Sequence, residues 1–581
     1  MDASTTERVE ALASDPRLTW SLIAAGIALR LVHFLHGTSL SVDESLLTLN
    51  VLDRSYAGLL EPLDGNQGAP VGFLMLLKWV TDVLGNSEYA LRLVALVSGI
   101  ASLLLFRSLA ARYLAPIGAT IALALFAVAG NLIFYSAQVK QYSGDVMFVV
   151  ILYLIADHVR TQRPAWWRMP LYGLIGAAAI GFSHPAVFVL AGLAISQLWF
   201  TMIRGERRRF DTIIAFAIWG IAFAALYWLS LRKLSSQEWL LNWWDDEFMP
   251  LPPTSMDDVR WMVTAFFQMF TKMLGFSLQG IGALTVLVGV LSMFSSDRQR
   301  LANLVLPILI ALGASGLQLY PFCCRLILFT APALLLLMAR GAVSVLSATR
   351  AKPSIGVLLL GLMFLHPVMW AGYHVIRPRY EEELKPELTY LQEQAQAGDV
   401  IYLYYGAKPA FTYYARRFGW DLDECCIVGE RSRKDWDGYE RDLRRLEGQR
   451  RVWIVFTHIY DWKSVDERVL FLHYLDNLGV RLDGFETTGA AIYLYDLGPP
   501  ADRPPRSDPG AARPLGPSAH RGRAAGFPTA RGRERRLRVH SSMHSRFRTC
   551  VDTAAGAGRT RPAEGGITLG NPSSRRVAWR R

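Results

Sequence analysis

Runs of apolar residues long enough to cross a lipid bilayer recur along most of this chain. A stretch of about 18 or more residues with few charges predicts a transmembrane helix. Eleven segments approach or meet that criterion, and three of them are short or carry a charge. They are 17–37, 88–112, 115–135, 143–159, 170–183, 185–203, 210–231, 279–296, 301–320, 324–340 and 354–373. The sequence therefore predicts a polytopic α-helical membrane protein.

Basic and acidic residues alternate between successive connecting loops. Cytoplasmic loops collect Lys and Arg, so we place the N-terminus (1–16) inside and predict two acidic outer loops, 38–87 and 232–278. The basic residues of the inside loops are Arg107, Arg112, Arg160, Arg163, Arg168, Arg204, Arg207, Arg208, Arg209, Arg298, Arg300, Arg340, Arg350 and Lys352. Segment 70–84 is amphipathic and is predicted to lie in the membrane interface. The N-terminus lacks the layout of a cleavable signal, which predicts that helix one is an uncleaved anchor.

An odd number of crossings places everything after residue 373 outside. In 374–497, predicted strands alternate with predicted helices, and this alternation indicates a small α/β domain. The predicted elements are a strand at 398–405, a helix at 408–418, a strand at 451–458, a helix at 463–479 and closing strands at 480–487 and 491–497. Because no GxGxxG follows the first strand, we predict no nucleotide site there.

The positive net charge lies in the last part of the chain. The formal net charge is +12, and residues 498–581 alone hold 18 Arg and 5 acidic residues. This tail is rich in Pro, Gly, Ser and Arg without an apolar period, which predicts disorder. The remaining chain is close to neutral, so the composition does not favour a nucleic-acid-binding function.

Two pairs of adjacent cysteines are present, Cys323–Cys324 and Cys425–Cys426. Neither pair has the CxxC spacing typical of a metal site. Neighbouring residues rarely meet the geometry of a disulfide with each other. We therefore expect packed or free thiols at all four positions.

Two adjacent carboxylates, Asp43 and Glu44, follow the first apolar run in the stretch SLSVDESLLTLN (39–50). Neighbours on a helix point about 100° apart, so the two acids are expected to differ in role. Ser41 and Glu44 have the spacing of a capping box, which gives Glu44 a structural explanation. The helix dipole favours any carboxylate at a helix start, so Asp43 has a structural explanation as well as a catalytic one.

Further polar side chains are predicted at the same face of the membrane. They are Gln138, Lys140, Tyr142 and Asp145 in NLIFYSAQVKQYSGDVMFVV, His184 in GFSHPAVF and Arg325 in LQLYPFCCRLILFTAP. A charge at membrane depth costs about 2.5–3.5 kcal/mol and usually faces an interior cavity. Snorkelling to the interface is the alternative for Lys140 and Arg325. Two acids, two cations and a histidine at one face indicate a site that pairs an acid with an anionic ligand.

The order of these motifs resembles the GT-C membrane glycosyltransferases, in the group with protein O-mannosyltransferases and aminoarabinose-to-lipid-A transferases. The resemblance covers roughly residues 15–375 and follows the Asp-Glu pair, a loop ending in Pro, GNSEYALRLVALVSGIASLLLF, FYSAQVKQYSGD, an SHP turn and YPFxxRLxLFxxP. It implies transfer of a sugar from a polyprenyl-phosphate carrier to a lipid, glycan or protein acceptor, with inversion at the anomeric carbon. It also implies an active site on the extracytoplasmic face of a bacterial plasma membrane.

The resemblance implies catalytic roles for three acids. Asp43 matches the first residue of the family's acidic pair and is expected to deprotonate the acceptor hydroxyl as general base. Glu44 is its neighbour in that pair. Asp145 matches a second acidic position and is expected to orient the acceptor or a lysine. The lipid phosphate leaves as an anion, so the second carboxyl of a glycosidase is not required.

The resemblance also implies substrate-binding roles. Lys140 and Arg325 are expected to hold the departing phosphate as fixed cations, with His184 beside it. Gln138 and Tyr142 belong to the same predicted set.

The sequence departs from the family at one position and leaves one cofactor open. The lysine that some relatives carry before the Pro of the first outer loop is absent from Asn66-Gln67-Gly68-Ala69-Pro70, so phosphate contacts cannot be carried over from it. Some relatives use a divalent cation near the acidic pair. No clear set of metal ligands stands out here, and the need for a metal stays open.

Two other classes of protein compete with the transferase. A polytopic transporter or lipid flippase also places charges within the membrane, but the charges here lie at one face and no internal repeat is evident. A receptor that presents the outer α/β domain would not need eleven spans.

Overall fold

The computed structural model describes residues 10–162, 167–204, 209–232, 243–349, 352–433, 435–462 and 465–499. Residues 1–9, parts of the predicted basic loops (163–166, 205–208 and 350–351) and the predicted disordered tail from residue 500 lie outside this description.

The described part of the chain up to residue 376 is helical. In chain order the helices are α1 Pro16–Leu35, α2 Val42–Asp53, α3 Val71–Leu84, α4 Glu88–Tyr113, α5 Pro116–Val128, α6 Gly130–Phe134, α7 Tyr142–Thr161, α8 Arg168–Phe182, α9 Ala186–Ile203, α10 Arg209–Leu226, α11 Met256–Gln268, α12 Gln279–Ser296, α13 Arg298–Gly316, α14 Ala331–Ala348 and α15 Pro353–Ile376. A π-helical turn, Tyr227–Leu231, extends α10, and a 3₁₀ helix, Cys324–Thr330, leads into α14.

All eleven predicted apolar segments are helical, but two of them are not continuous spans. Among the described residues, nine helices are long and apolar enough to cross a membrane, or ten if a bent pair counts as one. The bent pair is the predicted segment 115–135, which turns by 55° between α5 and the helix after it. A Cβ at Gly130 would meet the ring of Trp370 at 2.9 Å, so the backbone breaks where α15 crosses it closely. The predicted segment 170–183 is α8, with 15 residues. The polytopic helical class is confirmed.

The predicted first outer loop, 38–87, contains the predicted amphipathic helix as α3. Its core-facing side buries Phe73, Leu74 and Leu77, while Trp79 is 57% exposed. Lys78 and Asp82 form an i,i+4 ion pair at 3.2 Å. The helix has 14 residues, which is too short to span a bilayer.

The predicted outer α/β domain is present after α15. Its elements are α16 Leu384–Gln394, β1 Val400–Leu403, α17 Lys408–Phe418, α18 Leu422–Cys425, β2 Cys426–Val428, α19 Trp436–Arg444, β3 Val452–Thr457, β4 Asp461–Trp462, β5 Val465–Asp466, α20 Glu467–Leu478, β6 Val480–Thr487 and β7 Ala490–Asp496. Five strands form a sheet in the order β2-β1-β3-β7-β6. The three strands β2, β1 and β3 are parallel, and β7 is antiparallel to both of its neighbours.

The outer domain packs directly on the first outer loop. Leu40 and Leu47 of that loop share one buried cluster with Leu388, Phe411 and Trp453 of the domain. Apolar burial of this kind fixes the two parts against each other. The α/β domain therefore covers the loop that carries Asp43.

The prediction for one pair of cysteines is wrong. A disulfide joins Cys425 to Cys426, at the point where α18 ends and β2 begins. The backbone changes from helix to strand between these two residues, and residue spacing does not reveal such a local change. The other pair, Cys323 and Cys324, is buried as predicted.

Candidate functional site

The two neighbouring carboxylates lie in the first turn of α2. Ser41 is the N-cap, and it forms the predicted capping box with Glu44. The backbone N–H of Ser41 donates to Glu44 Oε2 at 3.2 Å. Asp43 points elsewhere, so the two acids have separate surroundings.

Glu44 is the centre of a buried structural network. Arg92 of α4 donates from Nε to Oε1 at 3.0 Å and from Nη2 to Oε2 at 2.9 Å. The backbone N–H of Val139 donates to Oε1 at 2.7 Å. Glu44 is 1% exposed and Arg92 is 2% exposed. These contacts join α2, α4 and the segment before α7, and they give both carboxylate oxygens of Glu44 a hydrogen-bond donor within the protein.

Asp43 forms an ion pair with Arg325, whose Nη2 donates to Asp43 Oδ2. Arg325 belongs to the 3₁₀ helix Cys324–Thr330, which begins at a left-handed residue, Cys324 with φ 53°. The guanidinium carbon of Arg325 lies 5.9 Å from the centre of the Tyr142 ring. The side chains of Asp43 and Arg325 are 28% and 22% exposed, so the pair borders an accessible space.

Lys140 adds a second cation to the pair. Its Nζ donates to Gln67 Oε1 at 2.8 Å, so the glutamine at the position where the sequence departs from some relatives touches the site lysine. Burial lowers the pKa of Lys140 to about 8, although the negative charge of Asp43 opposes that shift. Burial raises the pKa of Asp43, but the positive charges of Arg325, Lys140 and His458 outweigh it. The net pKa of Asp43 therefore lies well below its usual range.

Two further predicted residues, Gln138 and Asp145, lie near this cluster without a direct bond to Asp43. Gln138 is buried, and its carbonyl accepts from the backbone N–H of Lys140 at 2.7 Å. Asp145 is 3% exposed and lies within electrostatic range of Tyr142. In the described part of the chain, Asp145 Oδ1 has no hydrogen-bond partner. A buried, unsatisfied carboxyl oxygen is costly, which marks Asp145 as a candidate for a contact with substrate.

The charge and the contacts of His184 differ from those expected for a residue beside the phosphate. Burial lowers the pKa of His184 to about 4, so the ring is neutral near pH 7. Within the described residues, no hydrogen bond or ion pair joins His184 to Asp43, Lys140 or Arg325. A neutral ring can only donate one hydrogen bond, so it would not replace a fixed cation.

The outer domain supplies acidic and basic groups that sequence reasoning did not find. Glu381 and Glu382 follow α15, and His458 follows β3. Burial raises the pKa of Glu381 to about 7, and the charges that act on it include Arg379, Glu382, Glu44 and Arg325. In the sequence, the two glutamates belong to the acidic run RPRYEEEL between the last span and the domain. Such a run is typical of a solvated linker.

The residues around Asp43 do not fit a divalent cation. Asp43 is paired with Arg325 and lies within range of Lys140, so two positive groups occupy the surroundings of the carboxylate. In the described residues, the group with converging metal-ligand atoms is Glu247, Cys323 and Cys324, within 4.8 Å of one another. That group does not include Asp43 or Asp145, and we derive no catalytic step through a metal.

Solved structures resemble this chain at low identity. ArnT from Cupriavidus metallidurans bound to undecaprenyl phosphate has a TM-score of 0.48 and 9% identity, over 84% of this chain and 98% of that chain. The Archaeoglobus fulgidus oligosaccharyltransferase in complex with Zn and sulfate has a TM-score of 0.49 and 11% identity, over 84% and 74%. The A. fulgidus oligosaccharyltransferase AglB in complex with an inhibitory peptide and a dolichol-phosphate has a TM-score of 0.48 and 10% identity, over 84% and 75%.

Both kinds of protein are GT-C glycosyltransferases, the class that the sequence motifs resemble. No protein-family model and no curated protein matches the chain. The TM-scores lie below 0.5, so the functional argument rests on the side chains of this chain.

Proposed function

We propose that this membrane protein is a glycosyltransferase that takes its sugar from a polyprenyl-phosphate donor. The observation that carries the proposal is the convergence of Asp43, Arg325 and Lys140 from three distant segments at one end of the helical bundle. A carboxylate can accept the proton of a hydroxyl, and two fixed cations stabilise a departing phosphate. This combination fits a displacement at a carbon that bears a phosphate.

The reaction transfers one proton and breaks one bond. The acceptor hydroxyl oxygen attacks the anomeric carbon while its proton passes to the Asp43 carboxylate. The bond between the anomeric carbon and the phosphate oxygen breaks, and its electron pair stays on the phosphate. Attack from the side opposite the leaving group inverts the anomeric centre. Arg325 and Lys140 hold the phosphate oxygens as their charge develops.

Because Asp43 is paired with Arg325, binding of the sugar donor has a second effect, a change in the pKa of Asp43. A carboxylate held by a guanidinium is a weak base because its pKa is depressed. A donor phosphate that takes over Arg325 removes this partner, and the pKa of Asp43 then rises toward its usual range. Binding of the donor would therefore activate the base.

The partner of Lys140 borders a small cleft. Gln67, which accepts from Lys140, lines this cleft with apolar residues that include Leu59, Leu63 and Leu74, and with one acid, Glu61. The cation that would suit an amphiphile with an anionic head is Lys140 itself. The solved structures of similar fold include complexes with undecaprenyl phosphate and with dolichol-phosphate, which are lipids of that chemistry. The acceptor is a lipid, a glycan or a protein hydroxyl at the extracytoplasmic face of a bacterial plasma membrane.

The test is release of polyprenyl phosphate from a labelled polyprenyl-phosphate sugar by the purified protein in detergent. Wild type should release it in the presence of membrane extract as acceptor source, and Arg325→Ala should not. An exposed arginine of the outer domain, Arg441, gives the matched control Arg441→Ala, which should remain active. Movement of intact donor between leaflets of a vesicle without release would indicate a flippase instead and would overturn the proposal.

A further inference from the structure

Three backbone N–H groups in the turn before Asp43 donate to side chains of the outer domain. Ser39 donates to Glu383 Oε1 at 2.8 Å, and Leu40 donates to the Tyr414 hydroxyl at 2.9 Å. Val42 donates to Glu382 Oε2 at 2.8 Å. Ser39 and Leu40 precede the helix, whereas Val42 is its first residue. The first N–H groups of a helix have no partner within the helix, so the bond from Val42 satisfies one of them from outside. The turn that carries Asp43 is thus held by the α/β domain.

Glu382 is itself held by a histidine of the sheet. His458 Nδ1 lies 2.6 Å from Glu382 Oε1, while Oε2 of the same carboxylate accepts from Val42. One carboxylate therefore bridges the histidine and the residue next to Asp43. Both side chains are 12% exposed, so water competes little for the bond.

The backbone at His458 is held in an uncommon conformation. Its φ is 49°, in the left-handed region, which is sparsely populated by residues other than glycine. His458 directly follows β3, whose carboxyl end lies beside that of the parallel strand β1. Such edges are where open α/β sheets place functional side chains. The strained residue therefore lies at the end of β3, where its ring contacts Glu382.

The charges around His458 favour a strong bond to Glu382. The groups that face it are the carboxylates of Glu382 and Asp43, the guanidinium of Arg433 and the ring of Tyr460, whose centre lies 4.5 Å from that of the imidazole. Burial lowers the pKa of His458, but the charge of Glu382, its hydrogen bond to the ring and the charge of Asp43 together outweigh burial, and the net pKa is raised. A protonated ring makes a charge-assisted hydrogen bond, roughly twice as strong as a neutral one.

We propose that His458 of the outer domain is a positioning residue of the active centre, which fixes Asp43 through Glu382 and the backbone of Val42. The inference rests on the proposed function, because it assumes that the place of Asp43 matters for turnover. The active centre is then formed by residues of both the membrane part and the α/β domain, and turnover depends on both.

The test compares His458→Asn with His458→Gly. The amide nitrogen of Asn occupies the place of Nδ1 and can donate to Glu382, and Asn tolerates a positive φ. Gly also tolerates that φ but has no side-chain donor. The two variants therefore keep the same backbone conformation and differ in whether they can donate to Glu382. His473→Asn, at an exposed histidine on α20, is the control for a surface change.

We expect His458→Gly to lower turnover by roughly 10–100-fold, since a misplacement of about 1 Å can cost about 100-fold. His458→Asn should stay within about threefold of wild type, and the affinity for carrier lipid should be unchanged in both. Equal activity of all variants would overturn the proposal. Equal loss in both His458 variants would overturn it too, because the ring would then touch the reactants itself.

Hydrogen exchange separates this inference from the proposed function. The amide of Val42, which donates to Glu382, should be protected in wild type and in His458→Asn, and should exchange faster in His458→Gly. Unchanged exchange in the glycine variant would overturn the bridge. Protein that shows the bridge by exchange but releases no polyprenyl phosphate would refute the proposed function alone.

Discussion

Asp43 and Arg325 form an ion pair across a separation of 282 residues. One partner begins a helix in the first outer loop, and the other lies in a 3₁₀ helix before α14. Each side chain has its own role in the proposed reaction. In this structure the two side chains are bonded to each other.

Asp43→Asn should abolish most turnover without preventing carrier binding. The amide keeps the shape of the side chain but cannot accept the proton, and general-base catalysis is typically worth about 10²–10⁴-fold. Glu381→Gln is the comparison, because burial raises the pKa of Glu381 to about 7 and makes it the other acid suited to this role. We expect only a small loss in that variant. The reverse ranking in the release assay would make Glu381 the base.

Substitutions of Arg325 should reduce the release of polyprenyl phosphate to different degrees. Arg325→Lys keeps a positive charge but replaces a planar fork by a point charge, so release should be impaired. Arg325→Ala removes the charge and should be more severely impaired, with weaker carrier binding. Steady-state kinetics and binding of labelled carrier measure the two effects. Wild-type kinetics in both variants would exclude Arg325 from the site.

Carrier affinity should fall as the pH rises through the pKa of Lys140. Burial lowers that pKa to about 8 in the free protein, and the amine is charged only below its pKa. One unit above it, roughly one amine in ten is still charged, so affinity should be roughly tenfold lower. Lys140→Arg keeps its charge and should bind with little dependence over the same range. An unchanged slope in that variant would assign the titration to another group.

Glu44→Gln should lower the stability of the protein but should change its turnover little. A glutamine can still serve the capping box, but it leaves the charge of Arg92 buried without a counter-charge. Removing one partner of a buried pair typically costs about 3–5 kcal/mol. The double variant Glu44→Gln with Arg92→Met should recover part of that loss. Additive losses measured by thermal unfolding in detergent would show that the two side chains are not coupled.

The orientation predicted from the loop charges places the α/β domain outside the cell. A cysteine at Gln392, an exposed position of α16, should react with an impermeant reagent in intact cells. The background needs Cys550→Ser, because Cys550 lies in the tail. Reaction only after lysis would reverse the orientation.

The sequence was sufficient for elements that local pattern dictates. Apolar length predicted the helices of the membrane part, and the spacing of Ser41 and Glu44 predicted the capping box that the structure contains. Helix α17 has the predicted bounds, 408–418, since a Pro at its first turn and a Gly after its end mark both limits. These features depend on residues within a few positions of one another.

Contacts between distant segments were decided only by the tertiary structure. The sequence grouped Asp43, Lys140 and Arg325 at one face of the membrane, but it could not pair Asp43 with Arg325 or bury Glu44 against Arg92. It also missed Glu381, Glu382 and His458, because a short acidic linker and a histidine after a strand have no local signature. Their proposed role depends on the packing of the α/β domain on loop 38–87. Apolar burial drives that packing but does not encode which polar groups meet.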